Sequence, residues 1–552
     1  MTSEPVRKDL VVGKDEDVPS NVVVIMMDDL AWGDLACHGN PYVRTPVLDA
    51  LHDDSVRFTR YSSGPMCTPA RASLMTGRYH HRTRAIDTFC GRSMIDPGET
   101  TLGHVLQRAG YRTGGYGKWH LGDAYPMRAC DLGFDETLMH NAGGIGQPGD
   151  HPENHWREGE AYFDPVLHRN GKPERHTGYC TDIFTDAAIE LVTSGVQPFF
   201  CYLATNAPHT PLQIDDSWVE PYRELGVNEV HARLYGMVEN IDWNVGRLLA
   251  ALPPNTIVVY TSDHGPCPSA RGPKGEARWN AGLRGEKGSL YQGAVKVPCF
   301  WRVPGVAGGV DDARLSSPID VLPTIAALTG VPRPDVSLDG LNLFALATER
   351  DLFLQWHRGD APERYRSFAV LSGSWKLYGD ELYDLDDDPG EEHDVASAHA
   401  DLVGDLRARY DVWFDDISAA GFEAPRIVIG SPRADPVLLT RQDWHIEGGD
   451  GDMGEIAGWL GTTRGWWDIT VELPGEYDVE VLLDPFSWAH PAFFRDITLS
   501  VNGVERSVPW VLQVTRYSFR AVDLPAGPVR IEAWASRRDA RESALYVEVA
   551  LA

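Results

Sequence analysis

No stretch of this chain reaches the roughly eighteen consecutive apolar residues that a membrane-spanning helix needs. Its start, Met1-Thr2-Ser3-Glu4-Pro5-Val6-Arg7-Lys8-Asp9-Leu10, lacks the apolar core of a secretory signal, so a cytoplasmic location and no membrane partner are expected. Cysteine is sparse, with 8 in 552 residues, at positions 37, 67, 90, 130, 180, 201, 267 and 299. None forms a Cys-x-x-Cys pair, which argues against a disulfide framework and against a cysteine-based zinc site and agrees with a reducing compartment. Positive charge is scarce as well: 50 Lys and Arg face 80 Asp and Glu, for a formal net charge of −30. Nucleic acid, whose phosphates demand basic surface, is therefore excluded as a partner. An anionic substrate must be drawn in by local cations against the overall field, which disfavours long polyanions. Internal repeats and low-complexity tracts are also missing.

What is present describes a large folded protein, 43% apolar and 10% aromatic, too long for one ordinary domain. Residues 1–20 read as a polar arm. From 21 to 345, apolar runs alternate with helical patterns, the mark of an α/β fold. Asn21–Met27, Phe199–Leu203 and Thr256–Tyr260 read as buried strands, followed by Asp28-Asp29, by Asn206-Ala207-Pro208-His209 and by Asp263-His264. Open α/β sheets place ligands at the carboxyl ends of their strands, so these polar ends are expected to converge. Residues 346–425 read as a small antiparallel subdomain, including Ser374–Tyr378 and Glu381–Leu385. The acidic run Asp384 to Asp394 reads as a solvated turn, since it lacks EF-hand spacing. A linker is expected over 426–440, then an accessory β-sandwich over 441–552, with Asn502-Gly503 as a hairpin turn. Its tryptophans 466, 467, 488, 510 and 534 fit a core or interface better than a sugar-binding face.

One segment stands out, Cys67-Thr68-Pro69-Ala70-Arg71. Thr68 is a good helix N-cap and Pro69 suits the first helical position, which puts Cys67 just ahead of a helix N-terminus that favours negative charge. Arg71 adds a fixed cation. The same residues also fit a buried free cysteine beside a helix. Two further pairs, Asp28-Asp29 and Asp263-His264, follow strands; their carboxylates suit a hard cation such as Ca²⁺ or Mg²⁺. Lys118 and His120, two apart, point to the same side if extended and can hold an anion and move a proton. Leu283–Gly293 is a Gly-rich cationic loop around Lys287 without P-loop spacing, and His209 is a further candidate acid. His80, His81, Arg84, His140, Trp156 and Tyr162 lie in segments able to line a pocket mouth.

Taken together, Met27–Leu35, Cys67–Arg71 with Thr76-Gly77-Arg78-Tyr79, Gly110–Gly122, Ala207-Pro208-His209, Ser262–Gly265 and the Lys287 loop resemble the successive signatures of the sulfatase family. Ser317–Thr324, Asp339-Gly340, Glu381–Leu385 and Asp388-Pro389 extend the resemblance, which covers about residues 21 to 400. It implies an alkaline-phosphatase-like α/β fold: a mixed sheet flanked by helices. It implies that Cys67 is converted to formylglycine by a formylglycine-generating enzyme. Asp28, Asp29, Asp263 and His264, with position 67, would bind Ca²⁺, with Mg²⁺ or Mn²⁺ as alternatives. Arg71 would stabilise the formylglycine, Lys118, His209 and Lys287 would hold sulfate oxygens, and His120 would serve the aldehyde. The expected reaction is hydrolysis of an aryl or carbohydrate sulfate monoester. His264 stands where many members carry Asn and also occurs in phosphonate monoester hydrolases, which makes phosphonate or phosphodiester hydrolysis the alternative. A catalytically silent carbohydrate-binding protein is the rival from another class.

Overall fold

Ten strands form one mixed sheet: β1 (Asn21–Met27), β2 (Val56–Tyr61), β3 (Arg112–Lys118), β4 (Glu136–His140), β5 (Val166–Arg169), β6 (Lys172–Arg175), β7 (Phe199–Ala204), β8 (Thr256–Ser262), β9 (Cys299–Arg302) and β10 (Val310–Ser316). This computed structural model describes residues 20–157, 159–345, 349–446, 464–483, 494–536 and 541–552. All but the last residue of the expected polar arm therefore lies outside the described residues, as does Trp488. The strand order is β10-β2-β9-β8-β1-β7-β3-β4-β5-β6.

Its central strands, β8, β1, β7, β3 and β4, are mutually parallel. Every residue of β1, β7 and β8 is buried, because helices cover both faces, and this is why these strands read as unbroken apolar runs. Val22, Val24 and Met26 enter one core together with the helix Cys67–Thr76. Val23, Ile25 and Met27 point the other way, into a core with the helices Cys180–Thr193 and Glu229–Ala251. Parallel neighbours share a direction, so the carboxyl ends of β8, β1, β7 and β3 lie side by side.

A second, antiparallel sheet joins Asp351–Gln355, Phe368–Ser372, Trp375–Tyr378 and Glu381–Asp384, and the helix Ala400–Ser418 packs on it. The acidic turn after its last strand is only partly solvated. Glu391 is fully buried and pairs with buried Lys376 at 2.6 Å.

The C-terminal region is two facing sheets of antiparallel character, with one parallel edge where Ile427–Ile429 pairs with Gly465–Val471. Asn502 and Gly503, both at positive φ, turn the hairpin between Asp496–Val501 and Val504–Pro509. Residues 426–440 are not a linker: Ile427–Ile429 and Val437–Thr440 each add a strand to one of these sheets. Pro436 stands just before the second strand, a position where proline costs no ladder bond. Trp467 and Trp534 are buried, while Trp466 and Trp510 are half-buried. Among the described residues no helix is long and apolar enough to cross a membrane.

Candidate active site

Four strand ends supply the site. Asp28 and Asp29 follow β1, and Asp263 and His264 follow β8; all four are at most 1% exposed. The Asp263 N–H donates to the Met27 carbonyl at 3.1 Å and the Asp29 N–H donates to Asp263 Oδ1 at 3.3 Å, so the two strand ends fix each other. Asp29 has a left-handed backbone (φ 65°), which Asp tolerates better than most residues. His264 lies between carboxylates, its Nδ1 3.3 Å from Asp29 Oδ1 and its Nε2 3.4 Å from Asp263 Oδ1. Burial disfavours its charged form, but Asp263 and Cys67 outweigh burial and raise it to about 9.

Cys67 opens the helix Cys67–Thr76 beside this set, its Sγ 3.1 Å from His264 Nε2 and 3.6 Å from Asp28 Oδ1. The helix starts two residues earlier than expected. Met66 is the N-cap, and Cys67, Thr68 and Pro69 are its first three residues. Proline is tolerated throughout a first turn, because no N–H there has an intrahelical acceptor. Thr68 does not cap; its Oγ1 donates to the His120 carbonyl at 3.0 Å. Burial opposes a Cys67 thiolate, yet Lys118, Lys287 and His264 hold the thiol well below its ordinary value.

Each carboxylate has a cation. Lys118, the last residue of β3, donates to Asp28 Oδ2 at 2.6 Å, and Lys287 donates to Asp29 Oδ1 at 2.9 Å. Arg71 donates to Asp263 Oδ2 from Nη2 at 2.8 Å and from Nε at 3.2 Å, and to the Lys118 carbonyl at 3.0 Å. His209, beyond β7, puts Nε2 3.7 Å from Asp29 Oδ2. Burial resists ionisation of Asp29, but His209, Lys287 and His264 hold its carboxyl below the usual range.

His120 reaches the site differently from the extended pair expected with Lys118, since β3 ends at Lys118 and His120 has φ 55°. Its Nε2 lies 3.2 Å from the Thr88 carbonyl. A carbonyl only accepts, so the proton sits on Nε2 and buried Nδ1 keeps its lone pair. Burial lowers the His120 pKa, an effect that neighbouring Cys67 partly offsets.

Asp28, Cys67, Asp263 and His264 bring ligand atoms within 4.8 Å of one another, as do Asp28, Asp29 and His209. Asp29 Oδ2 is buried without a hydrogen-bond partner, a costly arrangement that a hard cation relieves. The two groups share Asp28 and together offer carboxylate and imidazole donors that suit a divalent cation.

Of the residues placed at the pocket mouth, His80, His81 and His140 are buried, and Arg84 pairs with Asp96 at 3.0 Å. Trp156 packs edge-on against Tyr546 of the C-terminal region. Tyr162 is buried and donates to the His209 carbonyl at 2.9 Å, so it positions a site residue instead of facing substrate.

Three supporting residues carry no local sequence signal. Ser63 Oγ donates to the Asp263 carbonyl at 2.7 Å. Arg278 donates to the Asp29 carbonyl and pairs with Asp34 at 3.0 Å. Gln442, from the C-terminal region, donates to the Thr88 carbonyl that His120 uses.

Comparison with known proteins agrees with this geometry. The family model described as Sulfatase matches residues 20–331. Human arylsulfatase A is 31% identical over 407 residues, covering 65% of this chain and 75% of that one. The N-acetylgalactosamine-6-O-sulfatase of Bacteroides thetaiotaomicron is 28% identical, covering 70% of this chain and 91% of that one. Among solved structures, Ps i-CgsB in complex with k-i-k-neocarrahexaose superposes with a TM-score of 0.65 at 28% identity, covering 74% of this chain and 95% of that chain.

Proposed function

The chain belongs to the sulfatase family and is a sulfate ester hydrolase, and from that premise we propose that it cleaves a carbohydrate sulfate monoester using a formylglycine made from Cys67. The observation that carries this reading is the seating of Cys67 at the first residue of a buried helix, between His264 and Asp28 and within the field of Lys118 and Lys287. The aldehyde, as its hydrate, supplies the attacking oxygen and a second hydroxyl through which sulfate can leave, which a serine lacks. Maturation then requires a formylglycine-generating enzyme as a transient partner.

Asp28, Asp29, Asp263 and His264 would hold a divalent cation, Ca²⁺ by the hardness of the donor set, with Mg²⁺ or Mn²⁺ as alternatives. Such an ion supplies charge stabilisation at the transferring group and acidifies a hydroxyl beside it. Lys118, His209 and Lys287 bind the sulfate oxygens and stabilise the charge that builds as the S–O bond to the leaving group lengthens. His209 or Lys287 gives the departing alcohol its proton. His120 accepts a proton through Nδ1, the nitrogen left free by the Thr88 carbonyl. Arg71, held by Asp263 and the Lys118 carbonyl, fixes the helix start that presents position 67.

The carbohydrate assignment draws on relatives whose names specify sugar sulfates, N-acetylgalactosamine-6-O-sulfatase among them, and on a structural neighbour solved with k-i-k-neocarrahexaose. His264 keeps phosphonate monoester hydrolysis as the second reading. Mass spectrometry of the tryptic peptide Tyr61–Arg71 tests the nucleophile: an aldehyde at position 67 is expected, and unmodified cysteine in active, natively produced enzyme overturns the mechanism. Parallel kcat/KM values for sulfated saccharides, an aryl sulfate and an aryl phosphonate monoester test the substrate; a higher value for the phosphonate overturns it.

A further inference from the structure

A second metal-ligand cluster lies away from the catalytic set. Cys37, His38 and His52 are half-buried and bring one ligand atom each within 4.8 Å of the others. Cys37 and His38 belong to a short turn, Ala36–His38, in the loop that follows β1, and His52 belongs to the helix Pro46–Asp53. Scattered cysteines without Cys-x-x-Cys spacing had argued against any such site. The fold brings together what spacing did not, because the helix Pro46–Asp53 packs back on the turn and the Cys37 N–H donates to its Asp49 at 2.9 Å.

The hydrogen bond on the far side of the His38 imidazole sets its tautomer. His38 Nδ1 lies 2.7 Å from the Trp32 carbonyl, which can only accept, so Nδ1 carries the proton and Nε2 the lone pair. His52 Nδ1 lies 2.9 Å from Asp53 Oδ1, and the same logic frees its Nε2. Arg57 Nη1, a donor, approaches the same Nδ1 at 3.3 Å, so the shorter Asp53 contact is the one that leaves Nε2 as the ligand atom. A backbone carbonyl on one histidine and a carboxylate on the other are the outer contacts that orient metal-bound imidazoles. Stacking holds the His38 ring further, its centroid 3.7 Å from that of Trp32.

We propose that Cys37, His38 and His52 form a second metal site, one that takes Zn²⁺ with water as fourth ligand. One thiolate and two imidazoles select zinc over the hard cations suited to the carboxylate set. Zinc bonds of about 2.0–2.3 Å put tetrahedral ligand atoms roughly 3.3–3.8 Å apart, so side-chain rotation of up to about 1.5 Å closes the site. On binding, the Cys37 S–H loses its proton to solvent and the sulfur enters as thiolate. The ion ties the loop after β1 to the helix Pro46–Asp53, a structural function separate from turnover.

The test uses full-length protein carrying Cys67→Ser, which removes the active-site thiol, saturated with Ca²⁺ after chelator treatment and then titrated with Co²⁺ and with Zn²⁺. Expected are a cobalt–thiolate charge-transfer band, displaced by one equivalent of Zn²⁺, and a rise in Tm with zinc. Adding Cys37→Ser or His52→Gln should remove the band and weaken zinc binding at least tenfold, with the near-ultraviolet circular dichroism retained as proof of folding. A band that persists in both variants, or failure of the Cys67→Ser protein to bind zinc, overturns the site. With Cys67 intact, His52→Gln is expected to hydrolyse an aryl sulfate at the wild-type rate, which separates this outcome from the fate of the sulfatase mechanism.

Discussion

Gln442 Nε2 lies 3.2 Å from His120 Nε2, although 322 residues separate the two in sequence. The amide has two protons, and acceptors are available for both: the Thr88 carbonyl, and Ser93 Oγ at 3.0 Å. Thr88 thus receives one hydrogen bond from Gln442 and one from His120, which uses both lone pairs of a single carbonyl. Through that carbonyl a residue of the C-terminal region holds the tautomer and angle of His120, the proposed proton acceptor. Gln442→Ala is expected to lower kcat by about ten- to a hundredfold, in the range of lost orienting contacts, with KM nearly unchanged. Gln442→Glu should not restore the rate, because a carboxylate cannot donate to Thr88. A parallel rise in KM, or full activity in Gln442→Ala, contradicts the positioning role.

Cys67 differs in kind from the other buried cysteines. Cys90, Cys180, Cys201 and Cys299 have thiols pushed up to about 12 or higher, chiefly by burial, whereas Cys67 is held below its ordinary value. Cys67→Ala should therefore abolish turnover, and Cys37→Ala or Cys90→Ala should retain most of it. Comparable losses from Cys67→Ala and Cys90→Ala in sulfate-release assays would indicate packing instead of chemistry.

If the proposed divalent cation is bound, chelation should abolish activity and Ca²⁺ should restore it, because Asp29 Oδ2 is buried there without a hydrogen-bond partner. Asp29→Asn is the sharper probe. It keeps the volume but weakens the ligand, so it is expected to lose about 10²–10³ in rate, the scale of one missing electrostatic contact, and to need more Ca²⁺ for half-maximal activity. Unchanged Ca²⁺ dependence would remove Asp29 from the ligand set.

Asp443 is 2% exposed, and neither of its carboxylate oxygens has a hydrogen-bond partner. Burial raises it to about 7; neighbouring Asp123 is also raised, by burial and then by Asp443. A folded-state pKa above the unfolded value gives stability that is full below about pH 4 and is lost as pH rises through about 7. Asp443→Asn removes that loss. At pH 8 it should stabilise the protein by on the order of 2–4 kcal/mol, and at pH 4 it should have little effect. Thermal denaturation at the two pH values measures this, and no gain at pH 8 would refute it.

The catalytic half was legible because its chemistry is local: each dyad follows an apolar strand, and parallel strands bring their carboxyl ends together whatever the connections between them. Asp28, Asp29, Cys67, Lys118, His209, Asp263, His264 and Lys287 meet for that reason. What was misread depends on distant partners. The strands at 427–429 and 437–440 are short and defined by their pairing with 469–471 and 546–549, which no local pattern announces. Gln442 occupies a polar run, Arg441-Gln442-Asp443, that reads as loop until the catalytic domain buries it. Cys37 and His52 are brought together only by helix packing.

The same limit applies to Glu391, which lies in a turn read as solvated yet is fully buried. It pairs with Lys376 at 2.6 Å and accepts from the Gln292 N–H, while its own carbonyl accepts from Arg284 at 2.9 Å. Arg284 and Gln292 flank the Lys287 loop, so one buried ion pair in the second sheet anchors the loop that carries Lys287. Lys376→Met strands a buried carboxylate and should cost about 3–5 kcal/mol. The double variant Lys376→Met/Glu391→Gln removes both charges and keeps an acceptor for Gln292, so it should recover most of that stability. Urea denaturation of the two variants distinguishes this from simple loss of packing, which the double variant would not repair. Activity adds a second readout: if the pair anchors the loop and Lys287 holds the sulfate as proposed, the folded single variant should show a raised KM, and the double variant should bring KM back toward the wild-type value.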